Sequence, residues 1–247
     1  MKKIKTDKKI SAIIQARLDS SRLSGKVLKE ILGKPMLGYL LERVSKSSYL
    51  DQVIVATSDN ENDREIVEYC NQLGFAVFAG SKDDVLDRYY QAAKENGVDI
   101  IVRIGADSPM EDPEIIDMVI EEHLSSGNDC THNLCLLGSN MPDGVDLEVI
   151  NFEALEQSWL FGKEPHHREH VDEYIYEHPE IFKIGVVSGP EWINRPDYRL
   201  TVDYAQDFEL VTKIFQHFHP NQPSIREVVQ FLDENPALVQ MNSQYIN

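Results

Sequence analysis

A short segment of this sequence concentrates positive charge, although the chain as a whole is acidic. Arg17, Arg22 and Lys26 stand within ten residues, whereas the 247 residues together carry 24 Lys and Arg against 42 Asp and Glu, a net charge of −18. Guanidinium, ammonium and free backbone N–H groups in a loop suit phosphate oxygens. The segment is not a Walker A loop, because Val27 follows the lysine and the first glycine of that motif is missing. The residues themselves leave two interpretations open: a phosphate site, or a solvated loop whose cations pair with nearby acids.

Two carboxylates stand where each could meet such a loop. Asp107 comes just after the apolar segment 99–104, and Asp203 ends the segment 198–202, which has the pattern of a strand. Mg²⁺ in proteins prefers one or two carboxylates together with substrate phosphates and water. Each aspartate by itself is better explained as a helix N-cap, because a helical pattern follows both. A cationic loop beside both of them favours a shared metal.

The elements that must position these residues alternate regularly over the first half of the chain. Short β-branched segments, which predict strands, are followed by segments with apolar residues at helical spacing. Loops at the carboxyl ends of parallel strands line the ligand crevice of such sheets. The pattern predicts an α/β fold, with a mainly parallel sheet between layers of helices. The predicted strands are 10–16, 53–57, 75–78 and 99–104, and the predicted helices are one from about 35, then 63–73, 84–95 and 113–124.

The alternation becomes less regular after Gly127. No linker rich in Gly, Pro or Ser and no internal repeat divides the chain. We therefore expect a single domain over 1–247, in which about 128–180 is an insertion that carries specificity. The predicted strands of this half are 145–150, 181–187 and 198–202, and the predicted helices are one from about 152, one around 166–178, and then about 205–218 and 224–234.

Composition excludes several classes of protein. Hydrophobic residues make up 42% and charged residues 27% of the chain, which is typical of a globular protein and not of a disordered one. The net negative charge repels nucleic acid and anionic membranes. Cys70, Cys130 and Cys135 lack C-x-x-C spacing, which disfavours a disulfide framework and a structural zinc site. Their odd number fits a reducing cytoplasm. The N-terminal apolar run 10–16 is too short for a signal peptide, and no apolar run reaches about 18 residues, so we expect a protein that is neither exported nor membrane-spanning.

Three histidines lie close together in one predicted helical segment. His166 and His170 are four residues apart and could bind zinc from one face of a helix, with His167 beside them. The surrounding sequence, His-His-Arg-Glu-His, is not the H-E-x-x-H motif of zinc enzymes. A role on the surface or in a dimer contact is therefore favoured, and no zinc is expected.

Two sets of motifs occur in order between about residues 10 and 231. The first set is 14–17 (IQAR), 20–28 (SSRLSGKVL) and 33–36 (GKPM); the second is 80–81 (GS), 84–89 (DVLDRY), 142–148 (PDGVDLE), 168–171 (REHV) and 200–203 (LTVD). The first set resembles the signature of the sugar cytidylyltransferases, which include the enzymes that make CMP-activated 3-deoxy-octulosonate and acylneuraminate. The second resembles, more closely, the branch of spore coat polysaccharide biosynthesis protein F.

The resemblance implies a GT-A-like nucleotide-diphospho-sugar transferase fold, which is Rossmann-like, whose first loop wraps a nucleoside triphosphate, most readily CTP. It also implies Mg²⁺ held by Asp107 and Asp203, which are the implied catalytic residues together with Arg17, Arg22 and Lys26. The implied nucleotide ligands are Gln15, Ala16, Arg17, Ser20, Arg22, Lys26, Gly80, Ser81, Asp87, Arg88 and Arg103. The implied sugar ligands are Asp143, Asp146, Glu148 and Arg168.

Some of these positions have a second interpretation, and some depart from the family pattern. The acids of the segment 142–148 could also be turn and edge-strand residues, although the resemblance favours binding to sugar hydroxyls. Ser24 replaces the usual proline, and Asp19 adds a negative charge among the phosphate ligands unless it faces solvent or metal. The segment 203–207 lacks the usual Thr-Pro-Glu spacer but keeps both of its acids.

The expected reaction is attack by a hydroxyl of a sugar or 2-keto sugar acid on the α-phosphorus, with pyrophosphate leaving, for polysaccharide or surface glycan synthesis. No general base is evident, and Asp146 and Glu148 are the weaker candidates. Two other classes stay open. A GT-A glycosyltransferase would show a D-x-D pair, of which Gly105 replaces the first acid, and a noncatalytic protein would bind the nucleotide without releasing pyrophosphate. A homodimer is expected, with no nucleic acid or membrane partner.

Overall fold

Residues 3–246, which the computed structural model describes, form nine strands and ten α-helices. The strands are β1 (Ile10–Gln15), β2 (Glu30–Ile31), β3 (Lys34–Pro35), β4 (Gln52–Ser58), β5 (Ala76–Gly80), β6 (Ile100–Gly105), β7 (Cys130–His132), β8 (Glu148–Asn151) and β9 (Ile184–Val186). The helices are α1 (Met36–Val44), α2 (Arg64–Gln72), α3 (Val85–Glu95), α4 (Pro113–Ser126), α5 (Phe152–Phe161), α6 (Pro165–Glu169), α7 (Glu173–Glu177), α8 (Ala205–Phe218), α9 (Ile225–Glu234) and α10 (Pro236–Val239). None of these helices has the length and apolar character that crossing a bilayer requires.

The strands form one large mixed sheet and one small hairpin. The order in the large sheet is β5-β4-β1-β6-β8-β7-β9, and β2 pairs with β3 in the hairpin. The strands β5, β4, β1 and β6 are all parallel, whereas β8 runs antiparallel to both of its neighbours. A mainly parallel sheet covered by helices confirms the predicted fold class.

The register of the central strands brings two loops to the same edge of the sheet. Gln15, at the end of β1, pairs with Gly105, at the end of β6. Because the two strands are parallel, the chain leaves both of them at that edge, where ligand crevices of open α/β sheets lie. Arg17 and Asp107, each two residues beyond this pair, therefore enter one crevice.

Both faces of the central strands are buried, and this makes the crevice rigid. Along β1, Ala12 and Ile14 pack in the cluster that includes α1, α4, α8 and α9, whereas Ile13 packs in the opposite cluster with α3 and α5. Alternation with a period of two residues is what a strand buried on both sides requires. Each fully buried aliphatic side chain contributes about 1.5–3 kcal/mol, so the strands that support the loops are strongly held.

The strand predicted over 198–202 is wrong. The segment is extended, but its one β-bridge joins Arg199 to Asp143, and the N–H of Leu200 donates to the carbonyl of Asp143 at 2.7 Å. Gly144, at φ +94°, packs so closely that a Cβ there would collide with the backbone of Thr201. The backbone hydrogen bonds of this segment therefore go to a loop, and the segment does not join the sheet.

Other elements of the second half are shorter than predicted. The strand predicted over 145–150 begins only at Glu148, and the one predicted over 181–187 is limited to β9. The single helix predicted around 166–178 is divided into α6 and α7, because His170 takes extended backbone angles (φ −116°, ψ 124°). Within the segment 128–180, β7 and β8 are strands of the large sheet.

Candidate active site

A cavity of about 280 Å³ opens at the carboxyl ends of β1 and β6. The loop after β1 forms one wall, the end of β6 forms the floor, and the end of α6 closes a third side. Its lining residues are Gln15, Arg17, Ser20, Ser21, Arg22, Lys26, Val27, Val85, Arg103, Gly105, Ala106, Asp107, Glu169 and His170. The structure thus places most of the loop residues implied as nucleotide ligands around one space, together with Arg103 and Asp107.

Lys26 lies between the two candidate metal ligands. Its Nζ is 2.9 Å from Asp107 Oδ2 and 2.9 Å from Asp203 Oδ1, and it also donates to the carbonyl of Val202 at 2.8 Å. An ammonium has three donors, so all of them are used. The left-handed turn at Gly25 (φ +67°) directs the chain into the short 3₁₀ turn that carries Lys26 inward, where only 7% of the residue is exposed.

Asp203 is surrounded by cations. Besides Lys26, it accepts hydrogen bonds from Arg22 Nη2 at 2.6 Å and from Arg199 Nη2 at 2.8 Å. Burial opposes its ionisation, but the hydrogen bond and charge of Lys26, with the charges of Arg22 and Arg199, outweigh burial and lower the pKa of Asp203 below its usual value. This carboxylate is therefore ionised over the whole neutral range.

Neither aspartate serves as a helix cap. The helix after Asp107 begins only at Pro113, and Asp112 accepts the N–H of Glu114 at 2.9 Å as its N-cap. Before α8, the carboxylate of Asp207 accepts the N–H groups of Asp203 and Tyr204. The alternative explanation of Asp107 and Asp203 as capping residues is therefore wrong, and both side chains are left to interact with cations in the crevice.

Arg199, which the sequence did not single out, connects this centre to the next group of acids. Its guanidinium binds Asp143, Asp203 (2.8 Å) and Asp207 (3.4 Å). It lies four residues before Asp203, on the extended segment 198–202, and only 7% of it is exposed. Thr201 of the same segment also donates to Asp143. The sequence signal that could have identified Arg199 is a charged residue within a segment predicted as a strand.

Four of the implied nucleotide ligands, Gly80, Ser81, Asp87 and Arg88, lie beside the cavity and do not line it. Arg88 is fully buried and donates from Nη1 to the carbonyl of Ser81 at 2.7 Å. Its Nε and Nη2 have no hydrogen-bond partner among the described residues. Asp87 accepts the indole N–H of Trp159 at 2.7 Å. In this geometry Arg88 holds the loop after Gly80 in place and Asp87 ties α3 to α5. Val85 is the residue of this region that reaches the cavity.

The structure does not bring the four implied sugar ligands together at one site. Asp143 and Asp146 lie together on the wall of a second cavity. Arg168 binds the carboxylate of Asp84 through Nη2 (2.6 Å) and Nε (2.9 Å), which ties α6 to the N-terminus of α3. Arg168 lines neither cavity, and neither does Glu148.

Glu148 holds Arg103 on the floor of the first cavity. Its two carboxylate oxygens accept from Arg103 Nη1 at 2.7 and 2.8 Å, and only 1% of Glu148 is exposed. Burial raises the pKa of Glu148 although Arg103 opposes the rise, and the carboxylate of Asp172 raises it further. The pKa of Asp172 is lowered, because Arg103 and the hydrogen bond to Glu148 outweigh its burial.

The histidines do not act as one group. His166 Nε2 and His167 Nε2 both contact the carboxylate of Glu177, at 2.9 and 2.7 Å, whereas His170 lines the first cavity. The N–H of Glu164 donates to His167 Nδ1, so the proton of a neutral ring sits on Nε2 and points at Glu177. That tautomer favours a hydrogen-bonded contact between α6 and α7 over metal coordination.

Three further polar residues, Asp19, Glu169 and His170, lie in or near the first cavity. The carboxylate of Asp19 pairs with Lys82 outside the first cavity, and most of the Asp19 side chain is exposed. Glu169 and His170 line the cavity opposite the loop. Neither of them was among the predicted ligands, although the motif 168–171 contains both.

Known proteins resemble this chain over most of its length. The family model for cytidylyltransferases matches residues 11–244. Spore coat polysaccharide biosynthesis protein SpsF of Bacillus subtilis is 35% identical over 230 residues, which cover 91% of this chain and 94% of that protein.

Two solved structures have the same fold. A cytidylyltransferase from Leptospira borgpetersenii superposes with a TM-score of 0.88 at 30% identity, over 94% of this chain and 97% of that one. A CMP:2-keto-3-deoxy-manno-octonic acid synthetase complexed with CTP superposes with a TM-score of 0.61 at 18% identity, over 85% and 99%. The family match covers nearly the whole length of the chain, and SpsF is 35% identical over most of it. The chain therefore belongs to the cytidylyltransferase family, on the branch that resembles SpsF.

Proposed function

We propose that the protein transfers CMP from CTP to a hydroxyl of a sugar or 2-keto sugar acid and releases pyrophosphate, as a step in polysaccharide or surface glycan synthesis. The observation that carries this proposal is Lys26, whose ammonium lies 2.9 Å from both Asp107 and Asp203 on the wall of a cavity that Arg17 and Arg22 also line. Cations for phosphates and carboxylates for a metal meet at one place. The name of the family and the CTP complex of a structural neighbour support cytidine as the base.

The same residues fit Mg²⁺. One ammonium touches both carboxylates of Asp107 and Asp203, so both can reach a single cation, and a pair of carboxylates is a donor set that Mg²⁺ prefers. When bound there beside a nucleotide, Mg²⁺ would neutralise charge on the reacting phosphate and polarise it.

The chain itself supplies positioning and further charge. Arg17 and Arg22 face the space that a triphosphate would occupy, and their guanidinium groups can each contact two phosphate oxygens. Lys26 can leave the aspartates and bind the phosphates, where it offsets the charge that builds up on the departing pyrophosphate. Arg103, which Glu148 orients, lies on the floor of the first cavity and adds a positive charge there. Because Glu148 is bound to Arg103, we assign it as a positioning residue and not as the general base.

We further propose that the single domain contacts its acceptor through the segment 128–180, that two copies associate through that segment, and that the reaction takes place in the cytoplasm. Asp143 and Asp146 of this segment line the second cavity, and exposed Leu136 and Leu137 lie beside them. Apolar side chains exposed next to a binding pocket are typical of surfaces that meet a ligand or another copy.

The test is release of pyrophosphate. The purified protein is incubated with each of the four nucleoside triphosphates, with several sugars and 2-keto sugar acids, and with or without Mg²⁺. We expect release that needs CTP, an acceptor and Mg²⁺ together. Binding of CTP without release under any combination would support a noncatalytic protein, and consumption of a nucleotide sugar without pyrophosphate would support a glycosyltransferase. Either result would replace the proposal.

A further inference from the structure

A second cavity, of about 340 Å³, lies on the far side of Arg199 from Asp203. Asp143 lies on its wall and binds Arg199, which binds Asp203 in turn. A single guanidinium therefore separates the wall of this cavity from the candidate metal ligands.

The polar part of this cavity is acidic. Asp143, Asp146, Asp172 and Glu173 line it, and no Lys, Arg or His of the described chain does so. The carboxylate of Asp146 accepts the N–H of Gly144, and burial together with the charge of Asp143 raises its pKa to about 6. These carboxylates offer acceptors to a ligand and repel anions. A ligand that donates O–H or N–H groups fits here, and a ligand whose bound end is negatively charged does not.

The remaining part of the cavity is apolar and unusually exposed. Leu134, Leu136, Leu137 and Pro196 line it, and Leu136 is 75% exposed and Leu137 45%. Covering such side chains with apolar groups is favourable at about 25 cal/mol per Å². A ligand that carries a methyl or acyl substituent would cover them, whereas a fully hydroxylated sugar would leave hydroxyls facing leucines without partners.

We propose that the second cavity binds the part of the acceptor remote from its reacting hydroxyl, and that it selects an uncharged end that carries O–H or N–H donors and an apolar substituent. This inference rests on the proposed function, because it assumes that the first cavity holds the nucleotide. If the acceptor also has a carboxylate, that group lies toward the first cavity, where Arg103 is the cation on the floor.

Cys135 provides a direct readout of occupancy. It lines the second cavity and is partly exposed, whereas Cys70 and Cys130 are buried. Burial raises the pKa of the Cys135 thiol and so lowers its thiolate fraction. Its alkylation by iodoacetamide is followed over time by mass spectrometry. The assay is run with CTP, or with a non-hydrolysable CTP analogue, and N-acetylneuraminate or 3-deoxy-octulosonate. A third probe is a derivative of N-acetylneuraminate whose terminal CH₂OH, remote from its original carboxylate, has been oxidised to a second carboxylate.

We expect N-acetylneuraminate, whose far end is neutral and acylated, to slow alkylation of Cys135 at least fivefold. The derivative with a carboxylate at that end should not slow it, and 3-deoxy-octulosonate, which lacks the acyl group, should slow it less. Asp146→Asn and Leu136→Ser should each reduce the protection. Leu160→Ser, at an exposed leucine that does not line the cavity, should leave the protection unchanged.

Several outcomes would overturn this inference. An acceptor that supports pyrophosphate release but leaves alkylation of Cys135 unchanged would place the acceptor elsewhere, with the proposed function intact. Equal or better protection by the derivative with a charged end would contradict the selection of an uncharged group. Absence of pyrophosphate release with every acceptor would contradict the proposed function, and this inference would then fall with it.

Discussion

At the scale of single residues, the arrangement of Lys26 between Asp107 and Asp203 decides the chemistry of the site. An ammonium at 2.9 Å from both carboxylates occupies the position where a divalent cation would meet them. If a triphosphate and a metal ion bind here as proposed, the triphosphate competes with the aspartates for Lys26, and the metal competes with Lys26 for the aspartates. Nucleotide and metal are therefore expected to bind together more strongly than either binds by itself.

Replacing Lys26 with methionine tests this competition. The change keeps most of the side-chain volume but removes the charge, so we expect the free protein to bind Mn²⁺ at least about tenfold more tightly, since a unit charge at 4 Å is worth about 4 kcal/mol near a protein surface. The same variant should bind CTP more weakly and lose about 10²–10³-fold in kcat. Titration of Mn²⁺ by electron paramagnetic resonance measures the first effect, with Lys82→Met as the control because Lys82 pairs with Asp19. Unchanged Mn²⁺ affinity would show that Lys26 does not occupy the metal position.

The aspartates themselves can be tested as a unit. We expect Asp107→Asn and Asp203→Asn each to lose most activity, about 10²-fold or more, and the double variant to lose little more, because two ligands of one ion are not independent. The measurement is pyrophosphate release against Mg²⁺ concentration, with thermal melts as a folding control. If the losses in the double variant multiplied, the two residues would have separate roles.

At the scale of elements, the position of α6 depends on Arg168. This arginine binds Asp84 at the N-terminus of α3 and lines neither cavity. The helix carries Glu169 and, next to it, His170, both of which line the first cavity. The ion pair therefore acts on the cavity through the placement of α6.

The structure predicts that Arg168→Ala lowers stability more than it changes sugar affinity. Loss of a partly exposed pair, in which two N–H groups of Arg168 meet one carboxylate oxygen of Asp84, should cost about 1 kcal/mol. A double-mutant cycle with Asp84→Ala should show that the two changes are coupled. Urea unfolding measures the stability, and the KM for the sugar is measured alongside. Arg64→Ala, in a highly exposed pair with Glu61, is the matched control and should change neither. A large rise in sugar KM with unchanged stability would instead identify Arg168 as a direct ligand.

At the scale of the whole molecule, the fold keeps several acids away from water. Glu111 is the clearest case, because it is fully buried and neither carboxylate oxygen has a hydrogen-bond partner among the described residues. Burial and the charge of Asp146 raise its pKa well above the usual value, although Arg43 opposes the rise. The folded protein therefore holds a proton here that the unfolded chain releases above a pH of about 4.3.

The sign of this effect predicts a loss of stability as the pH rises. Because the native state binds more protons than the unfolded state above pH 4.3 or so, the free energy of unfolding falls with increasing pH through that window up to the raised pKa. We expect Glu111→Gln to reduce this fall and to be about 1–3 kcal/mol more stable than wild type at pH 8, with a smaller difference at pH 5. Urea unfolding at both pH values measures it, and Glu114→Gln, on the surface, should run parallel to wild type. A variant with the same pH dependence as wild type would mean that Glu111 ionises without cost.

Much of the architecture can be predicted from the sequence, because it depends on residues that are neighbours in the chain. The apolar segment Ile10–Gln15 and its successors alternate with helical patterns, and each repeat is read over a window of about ten residues. The cations of the loop and the acid after β6 follow the same logic, since a residue just past a parallel strand must lie at the ligand edge. The motifs also indicated the family, because their order along the chain can be recognised without knowing how the chain packs.

Tertiary structure alone decided which side chains meet. Lys26 and Asp203 are 177 residues apart in the chain, and their contact depends on the loop 142–147 lying on an extended segment that has the pattern of a strand. Packing also pairs Glu148 with Arg103 and Arg168 with Asp84. It places Asp143 and Asp146 together on the wall of the second cavity. Local periodicity determines where an element forms and which face is buried. It does not determine the partner of a buried charge, which is set by whatever the fold brings within about 3 Å of that charge.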